Sequence, residues 1–190
     1  MTSSVQTSCY CPDTQHPQDL FCSSDYVMYG KAIKEKLIPG LADEMFNDSW
    51  TREYTFKIIF KMKGVSQGIG QDVVITTPES VELCGVRFTI GQSYILVGAK
   101  NSNGTKWIYL CDFDTISHLS YLSSYQTFYL FTRGSYSYRY NCRRGCKIGP
   151  ESKGCKYNSQ HTDNVSDCLV KKALCQRKGG RCRWVNNDTC

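Results

Sequence analysis

The chain has 190 residues, 41% hydrophobic and 21% charged, with a formal net charge of +6. Those proportions exclude a disordered chain, and no run of about 18 apolar residues is present to form a membrane-spanning helix. Twelve cysteines, an even number without any Cys-x-x-Cys, stand beside only three histidines, His16, His118 and His161. Six disulfides in an oxidising compartment are therefore expected, with a zinc site made of cysteines alone as the alternative. Four Asn-x-Ser/Thr triplets, at Asn47, Asn103, Asn164 and Asn187, fit a secreted glycoprotein.

In chain order, Met1 to Ser8 lacks a basic start and an apolar stretch and does not read as a signal peptide. Asp25–Leu37 is expected to be a strand paired with a second one in which Tyr54, Phe56, Ile58, Phe60 and Met62 alternate with polar neighbours. Ile38–Trp50, with Pro39-Gly40 and Asn47-Asp48, reads as a loop or hairpin arm. Gly68-Ile69-Gly70 precedes no helix and reads as a turn, not a phosphate loop. Gln71–Thr77, Ser93–Val97 and Lys106–Cys111 are three further expected strands, the last two joined by a turn at Asn103-Gly104. Asp114 or Thr115 is expected to cap a helix running to about Tyr129. The alternation of Tyr136, Tyr138, Tyr140 and Cys142 predicts a short final strand.

Five main strands without parallel crossover units suggest a small closed barrel of the oligonucleotide/oligosaccharide-binding (OB) type. The texture then changes. Seven of the twelve cysteines lie in the last 49 residues, which predicts a small disulfide-held module. Of the 23 Lys/Arg and 17 Asp/Glu, eleven and four fall in Arg143–Cys190, a net of +7 there and −1 elsewhere. Such a tail attracts polyanions such as sulfated glycans, or is a solvated basic surface without a specific partner. Catalysis finds no support: there is no nucleophile elbow, His-rich metal motif or paired-carboxylate signature, and His16 before Pro17 reads as a turn residue.

The opening Cys9-Tyr10-Cys11-Pro12, His16-Pro17-Gln18 and Phe21-Cys22 resembles the start of mature tissue inhibitors of metalloproteinases (TIMPs). The likeness continues through Phe60–Gly64, Thr77–Ser80 with Cys84-Gly85, Ile95–Lys100 and Leu110–Phe113, and so covers Cys9 to Cys142 in order. The resemblance implies a mainly β fold with helices: a netrin-like OB-fold five-stranded barrel at 9–142, preceded by an extension at 1–8 and followed by a basic cysteine-rich module at 143–190. It also implies the disulfides Cys9–Cys84, Cys11–Cys111 and Cys22–Cys142, each closing a long loop worth about 3 kcal/mol. In the tail, Cys146–Cys182 and Cys168–Cys175 are expected by position, leaving Cys155–Cys190.

The implied function is stoichiometric inhibition of zinc metalloproteinases by a protein that is not an enzyme and has no cofactor of its own. A catalytic zinc keeps one open position for water. The family's first cysteine fills it with its α-amine and carbonyl oxygen, so Cys9 is the expected metal-binding residue, through its backbone and toward the target's zinc. Tyr10 would enter the pocket beside that zinc on the primed side. Cys11 and Pro12 would flank it, and Glu82, Leu83 and Cys84 would serve the unprimed side. Eight residues precede Cys9, so its nitrogen is an amide unless processing exposes it. The rival is a non-inhibitory netrin-like binding module that engages glycans, receptors or proenzymes. Either reading implies a secreted, extracellular monomer without a nucleic-acid partner or a membrane span.

Overall fold

The computed structural model describes residues 9, 11, 15–40, 50–113, 117–158, 164–186 and 190. Five strands, β1 (Tyr26–Ile38), β2 (Thr51–Lys63), β3 (Asp72–Pro78), β4 (Ser93–Lys100) and β5 (Lys106–Trp107), close into a barrel in the order β1-β2-β3-β5-β4. All neighbours are antiparallel except β3 and β5. Their two-residue parallel pair, Ile75 opposite Lys106 and Thr76 opposite Trp107, seals the barrel without a crossover helix. Helices α1 (Pro17–Ser23), α2 (Leu110–Phe113), α3 (Ser124–Phe131), α4 (Tyr138–Arg143) and α5 (Asn164–Lys172) and a hairpin of β6 (Leu174–Lys178) with β7 (Arg181–Val185) complete the fold. Among the described residues no helix is long and apolar enough to cross a membrane.

Strand periodicity explains the core. Tyr26, Met28, Tyr54, Phe56, Ile58, Ile75 and Leu96 fill the barrel interior, where Phe88 packs edge-on against Tyr54, Phe56 and Tyr94. The intervening positions Val27, Ile95 and Val97 face outward into a second cluster with Leu20, Phe21, Tyr129, Leu130, Tyr138 and Leu174. The β2 alternation therefore serves both cores: Tyr54, Phe56 and Ile58 point into the barrel, whereas Phe60 and Met62 join the outer cluster. At Gly98 an added Cβ would stand 2.0 Å from the Trp107 carbonyl oxygen, so only glycine admits β5 at that distance.

Several local expectations are corrected. The strand expected over Lys106–Cys111 stops at Trp107, and Leu110–Phe113 is helical. The expected helix to Tyr129 begins later, where Ser123 and Gln126 form a reciprocal capping box at the start of α3; Asp114 and Thr115 lie outside the described residues. Tyr136–Cys142 is not a strand. Ser137 caps α4 by accepting from Tyr140 N–H, and Tyr138 and Asn141 are buried three residues apart, a helical spacing that the tyrosine alternation disguised. The tail holds α5 and a β-hairpin where sequence periodicity gave no element.

All twelve cysteines are in disulfides, which leaves no thiolate for a cysteine-only zinc site. The structure pairs Cys9 with Cys84, Cys11 with Cys111, Cys22 with Cys142 and Cys146 with Cys182. It replaces Cys168–Cys175 and Cys155–Cys190 with Cys155–Cys175 and Cys168–Cys190. The reason lies in packing. On β6, Cys175 is buried in a cluster with Cys146 and Cys155, whereas Cys190 packs on the Tyr157, Leu169 and Ala173 cluster beneath α5, the helix that carries Cys168.

Candidate functional site

The stretch between β3 and β4 forms a braced, exposed ridge. Ser80 starts a single 3-10 turn over Val81–Leu83, its hydroxyl accepting from Glu82 N–H at 3.1 Å and its carbonyl accepting from Leu83 N–H at 3.2 Å. Cys84 ends the turn in the left-handed region, at φ 61°, a conformation L-residues adopt at a cost. Gly85 follows with no room for a side chain, since a Cβ would meet the Pro78 carbonyl oxygen at 2.2 Å. Val86 N–H donates to Thr77 Oγ1 at 2.9 Å, and Glu79 accepts from Arg52 at 2.9 Å and Arg87 at 2.6 Å. Arg52 also pairs with Glu35 on β1. The turn's own side chains bury little: Val81 is 56% and Leu83 46% exposed, and Glu82 is exposed as well.

Two disulfides fasten the N-terminal segment, one to this ridge and one to α2. Cys9 is bonded to Cys84, and Cys11 to Cys111 at the start of α2. The sulfurs of Cys9, Cys11 and Cys111 lie within 4.8 Å of one another, so the two bridges are neighbours. Leu110 N–H donates to the Cys84 carbonyl at 2.8 Å, joining the ridge to α2 directly. The Cys9–Cys84 bridge thus ties the backbone of Cys9 covalently to the end of the Val81–Leu83 turn. Burial pushes the Asp112 carboxyl beside Cys111 upward, against the Tyr109 backbone hydrogen bond that favours its charge. Of the expected site residues, the structure brings together Cys9, Cys11, Cys84, Glu82 and Leu83; Tyr10 and Pro12 lie outside the described residues.

Sequence reasoning passed over Val81 and the Arg52–Glu79–Arg87 brace. No local pattern marks that brace, because its members come from β2 and the connector. It also read His16 as a turn residue. His16 instead caps α1 and is 1% exposed, packed on Tyr157 and Trp184. Its Nδ1 accepts from Gln18 N–H at 3.2 Å, so Nε2 carries the proton and donates to the Leu169 carbonyl at 3.1 Å. Burial pushes its pKa down to about 4, partly opposed by the Leu169 hydrogen bond. Gln18 is fully buried and clamps Cys175 from both sides, donating to its carbonyl and accepting from its N–H, each at 2.8 Å. His-Pro-Gln therefore ties the N-terminal helix to the tail.

The family model described as tissue inhibitor of metalloproteinase matches residues 7–190. The chain belongs to that family. It is 32% identical over 191 residues to Metalloproteinase inhibitor 2 of Oryctolagus cuniculus, covering 93% of this chain and 91% of the relative. Identities to proteins of the same name are 31% in Bos taurus and 30% in Homo sapiens, each over 93% of this chain and 81% of the relative. The family's members are extracellular inhibitors, not enzymes. Of the glycosylation candidates, Asn103 is exposed in the β4–β5 turn and accepts from the hydroxyl of its own Thr105 at 2.6 Å. Asn164 is exposed at the start of α5; Asn47 and Asn187 lie outside the described residues.

Proposed function

We propose that this chain is a secreted, stoichiometric inhibitor of zinc metalloproteinases that chelates the target's catalytic zinc through the α-amine and carbonyl of an exposed Cys9. Residues 9–142 are the inhibitory unit and 143–190 a basic companion module. The observation that carries the reading is the Cys9–Cys84 bridge, which sets the Cys9 backbone beside the exposed Val81–Leu83 turn. A backbone amine and carbonyl form a five-membered chelate, and it displaces the water held at the open position of a catalytic zinc. The cysteine thiol takes no part, being committed to the disulfide. Tyr10 fills the primed pocket, Cys11 and Pro12 stiffen the segment after it, and Val81, Glu82 and Leu83 contact the unprimed side. The mechanism requires a neutral primary amine, with an ordinary pKa near about 7.7–8.0 that a metal lowers further.

The test compares protein beginning at Cys9 with protein retaining Met1–Ser8 against a panel of zinc metalloproteinases. The form beginning at Cys9 is expected to inhibit at neutral pH and the extended form to be far weaker, because an amide nitrogen has no basic lone pair to give. If the Cys9 form inhibits none of the panel, the chelation reading is wrong and the non-inhibitory binding module replaces it.

A further inference from the structure

Two grooves near the end of α4 are lined by cations. The first, of about 330 Å³, has Arg133, Arg139 and Arg143 around it, with Thr132, Ser137 and Tyr140. The second, of about 500 Å³, has Lys147, Lys153 and Arg181, with Ser152 and Gly145. They adjoin in the chain, since Arg143 lines one and Gly145, two residues on, lines the other. Among the described residues, no carboxylate lines either groove. Glu151, in the loop between Lys147 and Lys153, is exposed and is not among the lining residues. Among the described residues, the five ion pairs all lie elsewhere and none engages these six cations.

The local fold concentrates this charge on a braced backbone. Gly134, at φ 86°, turns the chain after α3, and its carbonyl accepts from both the N–H and the hydroxyl of Ser137 at 3.1 and 2.9 Å. Arg139 and Arg143 then stand four residues apart on α4, a spacing at which like charges on a helix repel. Arg144 lies over the Tyr140 ring at 5.7 Å, and its carbonyl accepts from the Arg177 guanidinium at 2.8 Å, fixing the end of α4 to β6. In the second groove, the Cys146–Cys182 bridge and the close approach of Gly154 to the Cys182 carbonyl give a stiff floor. Among the described residues, these repelling guanidinium and ammonium groups thus gather on one surface without an ion-pair partner.

We propose that the two grooves form one continuous track for a sulfated glycan, running from the α3–α4 turn to β7. Guanidinium forks match the paired oxygens of a sulfate in a way point charges do not. The hydroxyls of Thr132, Ser137 and Ser152 suit sugar oxygens. A protein partner is the poorer fit, because binding hot spots are buried aromatic and apolar anchors, and Tyr140, already under Arg144, is the only aromatic among the described residues that line either groove. Two of the six cations, Arg133 and Arg139, precede Cys142, so the track is not confined to the cysteine-rich tail.

The full chain is tested for heparin binding at fixed salt, with R133Q/R139Q/R143Q and K147Q/K153Q/R181Q compared with K31Q/K34Q/K36Q, which removes equal charge from exposed β1 positions. Each groove triple is expected to weaken heparin binding by at least ~10-fold, as loss of charge-assisted contacts requires, and the β1 triple by less than about 2-fold. Desulfated heparin and poly-glutamate of similar length should compete poorly. Equal losses from all three triples would reduce the effect to net charge and overturn the track. Poly-glutamate competing as well as heparin would overturn the glycan and assign the grooves to an acidic peptide. Inhibition by the Cys9 form is expected to stay unchanged in all variants, so this proposal and the chelation mechanism fail separately.

Discussion

The barrel and the cysteine-rich tail are held together in different ways. Inside the barrel, Tyr26, Met28, Phe56, Ile75 and Leu96 are fully buried around a knot of aromatic rings, so its interior is hydrocarbon. In the tail, one of the two local clusters is largely sulfur, with Cys146, Cys155 and Cys175 at its centre and Cys182 against it. A long chain segment with a large apolar core tolerates the loss of a cross-link, whereas a short one depends on it. Yet the tail is not closed on itself. Leu174 sits in the same core as Phe21 of α1, Tyr129 of α3 and Tyr138 of α4, while Gln18 bonds the backbone of Cys175 and His16 donates to the Leu169 carbonyl. The boundary near Cys142 is thus a change in composition and in the means of stabilisation, crossed by a shared core.

Three perturbations sharpen this contrast. The largest effect is expected from Phe56→Ala, which leaves a void in the barrel: about 3–5 kcal/mol lost in denaturant unfolding, with tail and barrel signals falling together because they share the outer core. Two separate transitions would show that the regions unfold independently. Next, replacing both Cys155 and Cys175 by alanine opens a bridge across 20 residues and should cost about 3 kcal/mol. Its cost should fall on the tail, so hydrogen exchange in β6 and β7 should rise well before that in β1 and β2. Uniform acceleration would contradict the distinction.

The third perturbation is pH. His16 is buried neutral with its pKa pushed down to about 4 from an ordinary 6.5. Between those values the unfolded chain binds a proton that the folded chain refuses. Stability should therefore fall as pH drops from about 6.5 towards 4, by up to about 3 kcal/mol from this residue. Burial raises the Asp19 and Asp112 carboxyls, whose contribution has the opposite sign, so the difference between wild type and His16→Gln isolates the histidine. Urea midpoints for the two proteins should converge on acidification. Parallel curves would mean that His16 is not held neutral at the contact between α1 and the tail.

Much of this architecture is legible in the sequence, for a physical reason: half-buried strands impose period two. Tyr54, Phe56 and Ile58 announce the barrel's interior face. The candidate site is legible only through resemblance, because the roles of Cys9, Tyr10 and Glu82 follow from the likeness of the head and the Cys84-Gly85 connector to the tissue inhibitors and not from spacing alone. What stayed hidden depends on contacts distant in sequence. The alternating tyrosines of α4 mimic a strand, and only the Ser137 cap and the burial of Tyr138 with Asn141 reveal a helix. Tail pairing was misjudged because position along the chain says nothing of which face of α5 or β6 a cysteine occupies. His16 appears as a turn residue until the Leu169 carbonyl, 153 positions away, is seen to accept its Nε2–H hydrogen bond.

Coordination of a target's zinc by the Cys9 backbone is read directly by the spectrum of a cobalt-substituted metalloproteinase. Adding one equivalent of protein that begins at Cys9 should change the cobalt ligand-field bands as the amine and carbonyl replace water. The same protein with its α-amine acetylated should leave the bands unaltered and should not inhibit. Inhibition by the Cys9 form with an unchanged cobalt spectrum would contradict the account, since it would place the inhibitor on the protease without its N-terminus on the metal.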